Sequence, residues 1–86
     1  MPTFSAEEYA SPRPHGFEFI GYAVRAGDGR YVSQELPRLL FTPLESLALA
    51  WELQRSAFAV AKRVSDPTLL EVWHRGEERL MRPTRP

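Results

Sequence analysis

The chain has 86 residues, the size of one domain, and its 43% hydrophobic and 26% charged residues are the balance of a folded globular protein rather than a disordered one. Eleven basic and eleven acidic residues cancel, so there is no overall excess of positive charge to attract nucleic acid non-specifically. There is no cysteine, which excludes disulfides, thiolate metal sites and cysteine nucleophiles; with no apolar run of about 18 residues and no signal-peptide pattern, the expectation is a cytoplasmic protein.

Residues 1–16 contain Pro2, Pro12 and Pro14 and no clear periodicity. They read as an extended N-terminal arm, because proline fixes its own φ and pushes the preceding residue out of the helical region. Phe4 and Tyr9 can pin this arm to the body.

The domain proper is expected over 17–81. The stretch from Phe17 to Arg25 is rich in aromatic and β-branched residues, and Tyr31-Val32-Ser33 follows a Gly27-Asp28-Gly29 turn. That is a hairpin signature, with glycines free to adopt positive φ. Gly21, inside the first strand, points to a bulge or a close backbone approach. Arg38 to Phe41 reads as a short third strand, kept to an edge by Pro37.

Thr42-Pro43-Leu44-Glu45 carries the marks of a helix start, with Thr42 as cap, Pro43 in the first turn and Glu45 completing a capping box. Leu44, Leu47, Ala48 and Trp51 then follow helical spacing. The helical pattern resumes over Ser56 to Val64, where Ala57, Phe58, Ala61 and Val64 are expected to face inwards. The break near Leu53 to Arg55 favours two short helices over one long broken helix. Ser65-Asp66-Pro67 ends the helical region. Leu69 to Trp73 reads as a strand, and a turn over His74 to Glu77 lets Arg79-Leu80-Met81 pair back. Residues 82–86 read as a disordered tail.

The expected fold is therefore α+β: one small antiparallel sheet of three to five strands with two short helices, or one broken helix, packed on one face. The expected core gathers Phe19 or Ile20, Tyr22 or Val24, Leu47, Trp51, Phe58, Ala61, Leu70 and Val72.

The hairpin Tyr22 to Val32, the capped turn leading into Ala50-Trp51-Glu52-Leu53, the helix with Ala57 and Ala61 four apart, and the Leu70-Glu71-Val72-Trp73 strand together resemble small ββααβ domains of phages and mobile elements. Folds of that kind and size occur among anti-CRISPR proteins. The resemblance covers roughly residues 17–74 and implies a non-catalytic inhibitor that sterically blocks a CRISPR effector complex. The group shares no catalytic residue to carry over. The zero net charge departs from acidic mimicry of DNA and leaves direct blocking of a protein surface.

The residues themselves offer little for catalysis. His15 and His74 are the only imidazoles. His74 with Glu71 and Glu77 is a candidate metal set, but a strand-end histidine near glutamates is more commonly solvated, and no metal or cofactor is expected. The Gly27 to Arg30 loop is glycine-rich, yet a phosphate cradle needs a helix after it, and Asp28 opposes an anion. For nucleic acid, the candidates are Arg75, Arg79, Arg82 and Arg85, with Phe17, Phe19, Tyr22 and Tyr31 as stacking platforms. A small nucleic-acid-binding regulator, or an orphan structural or assembly protein, are the alternatives. The favoured expectation is a protein partner, contacted through Arg25, Asp28, Arg30 and Tyr31 around the hairpin tip. Arginine and tyrosine are suited to interfaces.

Overall fold

The computed structural model describes residues 16–84. Five antiparallel strands form one curled sheet in the order β3-β2-β1-β4-β5. They are β1 (Glu18–Arg25), β2 (Tyr31–Gln34), β3 (Leu40–Thr42), β4 (Thr68–Arg75) and β5 (Glu78–Pro83). One helix, α1 (Gln54–Ala61), and a 3₁₀ turn at Glu45–Leu47 complete the structure. The arm expected over 1–16 lies, but for Gly16, outside the described residues, as do Arg85 and Pro86 of the tail.

The two faces of the sheet have separate cores, and strand alternation explains which residue joins which. On one face, Val24 and Val32 pack with Ala57, Val60, Ala61 and Val64 of α1 and its end. On the other, Ala23, Leu70, Val72 and Met81 pack with Ala48. A third group, Phe17, Trp73 and Leu80, lies toward the start of β1.

The expected second strand pair, the edge position of β3 and the return strand β5 are all present. β5 runs on through Arg82, 3% exposed, and Pro83, residues that the sequence assigns to the tail.

The first expected helix is absent. Thr42 does accept a hydrogen bond at Oγ1 from the Leu44 amide, at 3.1 Å, but only the 3₁₀ turn follows. From Ala48 to Leu53 the chain is not helical. Its backbone groups are used elsewhere: Leu49 N donates to Val32 O at 2.9 Å, and Trp51 and Tyr22 exchange N–H···O bonds at 2.7 Å in both directions. β2 registers with β1 at Arg25 and Tyr31, and the extended segment takes up the β1 edge at Tyr22. Gly21 makes this possible, since a Cβ there would collide with the Trp51 carbonyl. It also sits at the register shift of β1 against β4. The expected bulge and the expected close approach are thus the same feature.

As a result the two helical pieces do not share a face. The segment around Ala48 covers the face opposite α1. Two expected core residues are also outside the core: Leu47 is 58% exposed and Phe58 is 54% exposed. α1 turns Ala57, Val60 and Ala61 to the sheet. These small side chains let the helix sit close, and Phe58, one position on from Ala57, falls outside the contact.

Candidate functional site

The hairpin turn and the end of α1 enclose an open cleft of about 560 Å³. Its walls are Gly27, Asp28 and Arg30 from the turn, Leu39 and Phe41 from the β3 region, and Arg63 to Asp66 after the helix. Local geometry builds it. Ala26 N donates to Arg30 O at 2.7 Å and Gly29 N to Ala26 O at 3.0 Å, closing the turn. Gly29 has φ +90°, a region that glycine alone occupies cheaply. Gly27 N donates to Ser65 O at 3.0 Å and ties the turn to the helix end.

Asp28 organises Arg30. One carboxylate oxygen accepts from the Arg30 amide at 3.0 Å, the other from Arg30 Nε at 2.7 Å. The backbone and side-chain hydrogen bonds from Arg30 hold the Asp28 carboxyl below its ordinary value. Both side chains stay about half exposed, 51% for Arg30 and 50% for Asp28. The Arg30 guanidinium lies 5.1 Å from the centroid of Phe41, a cation–π arrangement that fixes its direction.

The four residues singled out at the hairpin do not form one patch. Arg25 and Tyr31 are cross-strand partners on the sheet face of Ala23, where Tyr31 packs against Ala23, Leu70 and their neighbours. Asp28 and Arg30 lean the other way, over Phe41 and the α1 side. Leu39, Phe41, Arg63 and Asp66 join them there. Nothing local in the sequence marks Arg63 as a neighbour of Arg30. Only the Gly27–Ser65 contact brings them together.

The remaining candidates are dispersed or engaged. His74 and Glu71 are three apart on β4 and so point to opposite faces, away from a common ion. His74 Nε2 accepts from Arg79 Nε at 2.9 Å, and Glu71 accepts from Arg82 Nε at 2.9 Å and Trp73 Nε1 at 3.2 Å. Burial, then the charge of Arg79, lowers the His74 pKa, with Glu18 opposing. Among the described residues no three His, Asp or Glu side chains gather as a metal site. Arg75 meets Glu78 at 3.2 Å and lies over Phe17. Arg79 Nη1 donates to the carbonyls of Glu45 and Ala48. Three of the four arginines considered for nucleic acid are therefore used within the fold, and Arg85 and His15 lie outside the described residues. Phe17 is buried and Phe19 is 39% exposed; Tyr22 and Tyr31 are half-buried.

No helix of the described residues is long and apolar enough to cross a membrane. The chain matches no protein-family model, no curated protein and no solved structure at a significant level.

Proposed function

We propose that this is a non-catalytic, cytoplasmic protein-binding domain whose contact surface is the cleft beside the hairpin turn. The observation that carries this is the fixed arginine: Arg30 is held by Asp28, laid over Phe41, and half exposed at the cleft mouth. An arginine beside an aromatic ring is a composition typical of interface anchors. Its pre-organisation reduces the ordering cost on binding. Leu39 and Phe41 offer apolar area within the same cleft. Arg25 and Tyr31 belong to the opposite face and have at most a secondary part.

The resemblance of the 17–74 motifs to phage and mobile-element domains gives one concrete partner, a CRISPR effector complex, blocked sterically. The test has two arms. Tagged protein is recovered from host cells carrying a CRISPR system and its co-purifying material identified, and plaque formation by a targeted phage is scored in the same cells. The expected result is a stoichiometric effector subunit and restored plaquing. Arg30→Glu should weaken that binding by about ten-fold, equivalent to about 1.4 kcal/mol, while Arg25→Glu has much less effect. Recovery of nucleic acid without protein, with affinity falling steeply with salt, would replace this reading with the nucleic-acid one. A protein partner without restored plaquing would retain the binding domain and remove the CRISPR target.

A further inference from the structure

Phe58 is a large apolar side chain on the exposed side of α1, 54% accessible. Its surroundings are all of one charge. Arg55 precedes it by three residues and Lys62 follows it by four, so the three share one side of the helix. Lys62 Nζ lies 5.1 Å from the Phe58 ring centroid. Arg63 follows in the next turn and lines the hairpin cleft. Arg55, Lys62 and Arg63 are exposed, and none is in an ion pair with a described residue. Between Glu52 and Asp66 the sequence has three cations and no anion, in a chain whose total charge is zero.

From this we infer that the outer side of α1 is a second contact surface, continuous with the cleft through Arg63, that accepts an acidic patch of a protein partner with an apolar recess for Phe58. The inference rests on the reading that the partner is a protein. Charge complementarity identifies the occupant: a stripe of unpaired cations flanking an aromatic anchor matches carboxylates around an apolar recess. A nucleic acid fits less well. The eight residues of α1 span only about 12 Å at a rise of about 1.5 Å per residue. Glu52 at one end and Asp66 and Asp28 at the other would repel a phosphate backbone running past the stripe.

The probe is a short synthetic peptide in which aspartates flank a pair of leucines, titrated into isotope-labelled full-length protein and followed by amide chemical shifts. Saturable shifts are expected over Gln54 to Arg63. Phe58→Ala should lower the affinity by about ten-fold, the double variant Arg55→Glu with Lys62→Glu should abolish binding, and each should melt within a few degrees of wild type. Arg38→Glu, at an exposed arginine between β2 and β3 that does not line the cleft, serves as the control for charge and should leave the peptide affinity nearly intact. If Phe58→Ala binds as wild type does, or Arg38→Glu is as damaging as the helix variants, the attraction is diffuse charge and the inference falls, with the cleft reading untouched. Tighter binding of a DNA duplex than of the peptide at the same salt would assign the surface to nucleic acid instead. A large loss of stability in Phe58→Ala would show the ring to be packed, and would equally end the proposal.

Discussion

At the scale of single residues, side-chain volume and backbone room decide more than hydrophobicity does. Phe58 is the most apolar-looking member of the helical stripe, yet Val60 occupies the position against the sheet. Phe58→Ala should therefore leave the unfolding free energy nearly unchanged. Leu70, 1% exposed between the two neighbours of β4, is the contrasting case, and Leu70→Ala should cost about 2–5 kcal/mol. Urea denaturation of both variants checks the pair. Gly21 is constrained for a different reason. Its missing Cβ leaves room for the Trp51 carbonyl, and the flanking hydrogen bonds fix that approach. Gly21→Ala is expected to destabilise by about 1–3 kcal/mol, as for other overpacked sites. Loss of amide-exchange protection at Tyr22 and Trp51 would locate the damage.

At the scale of elements, the stretch 43–53 carries a helical pattern but becomes a 3₁₀ turn followed by an extended segment. The unpaired edge of β1 near Tyr22 offers hydrogen bonds, and the segment takes them. Arg79 holds the other end down, reaching from β5 to the carbonyls of Glu45 and Ala48 at 3.0 and 3.1 Å. His74, its cross-strand partner, accepts from Arg79 Nε and must be neutral at Nε2 to do so. Burial and the Arg79 charge depress the His74 pKa in the fold, against the pull of Glu18. The unfolded chain then binds the proton more readily, so the contribution of His74 to stability is fully present above the unfolded value of about 6.5 and is lost as pH falls through the lower folded value. The melting temperature should drop on acidification below about pH 6.5. His74→Gln keeps an acceptor for Arg79 without titrating, and should flatten that part of the curve. An unchanged slope in His74→Gln would assign the acid sensitivity to other groups.

At the scale of the whole molecule, a neutral chain carries an uneven charge distribution. The outer side of α1 is basic, the hairpin turn holds an internally paired Asp28 and Arg30, and the buried Arg82 is matched by Glu71 across the β4–β5 pair. Exposed pairs such as Asp28–Arg30 contribute little to stability, so Arg30→Glu should leave the melting temperature nearly unchanged while weakening partner binding. Association with a protein partner should slow with added salt far less steeply than the dependence expected from several phosphate contacts. Binding rates measured across a salt series test this. A slope corresponding to several released counterions would point to nucleic acid.

Much of the fold was legible in the sequence because its signals are local. The Gly27-Asp28-Gly29 turn, the aromatic and β-branched run of β1, the proline-flanked edge strand and the return of β5 after Gly76 all depend on neighbours within a few residues, and they yield the α+β class and the strand pairs. The same holds for Gly21, where a glycine inside a strand signals a bulge or a close approach without naming what approaches. What approaches, Trp51, is decided by tertiary structure, and with it the loss of the first expected helix, because hydrogen bonds to distant strands outweigh a capping box and a helical spacing. The rotation of α1 that exposes Phe58 follows from how closely the alanines can approach the sheet, which no periodicity specifies. The candidate site divides the same way. Arg30 and Asp28 were readable as residues of an exposed turn, but their separation from Arg25 and Tyr31 follows from strand twist and alternation at the hairpin. Their company with Phe41 and Arg63 exists only because the turn and the helix end share a backbone hydrogen bond across 37 residues of intervening sequence, between Gly27 and Ser65.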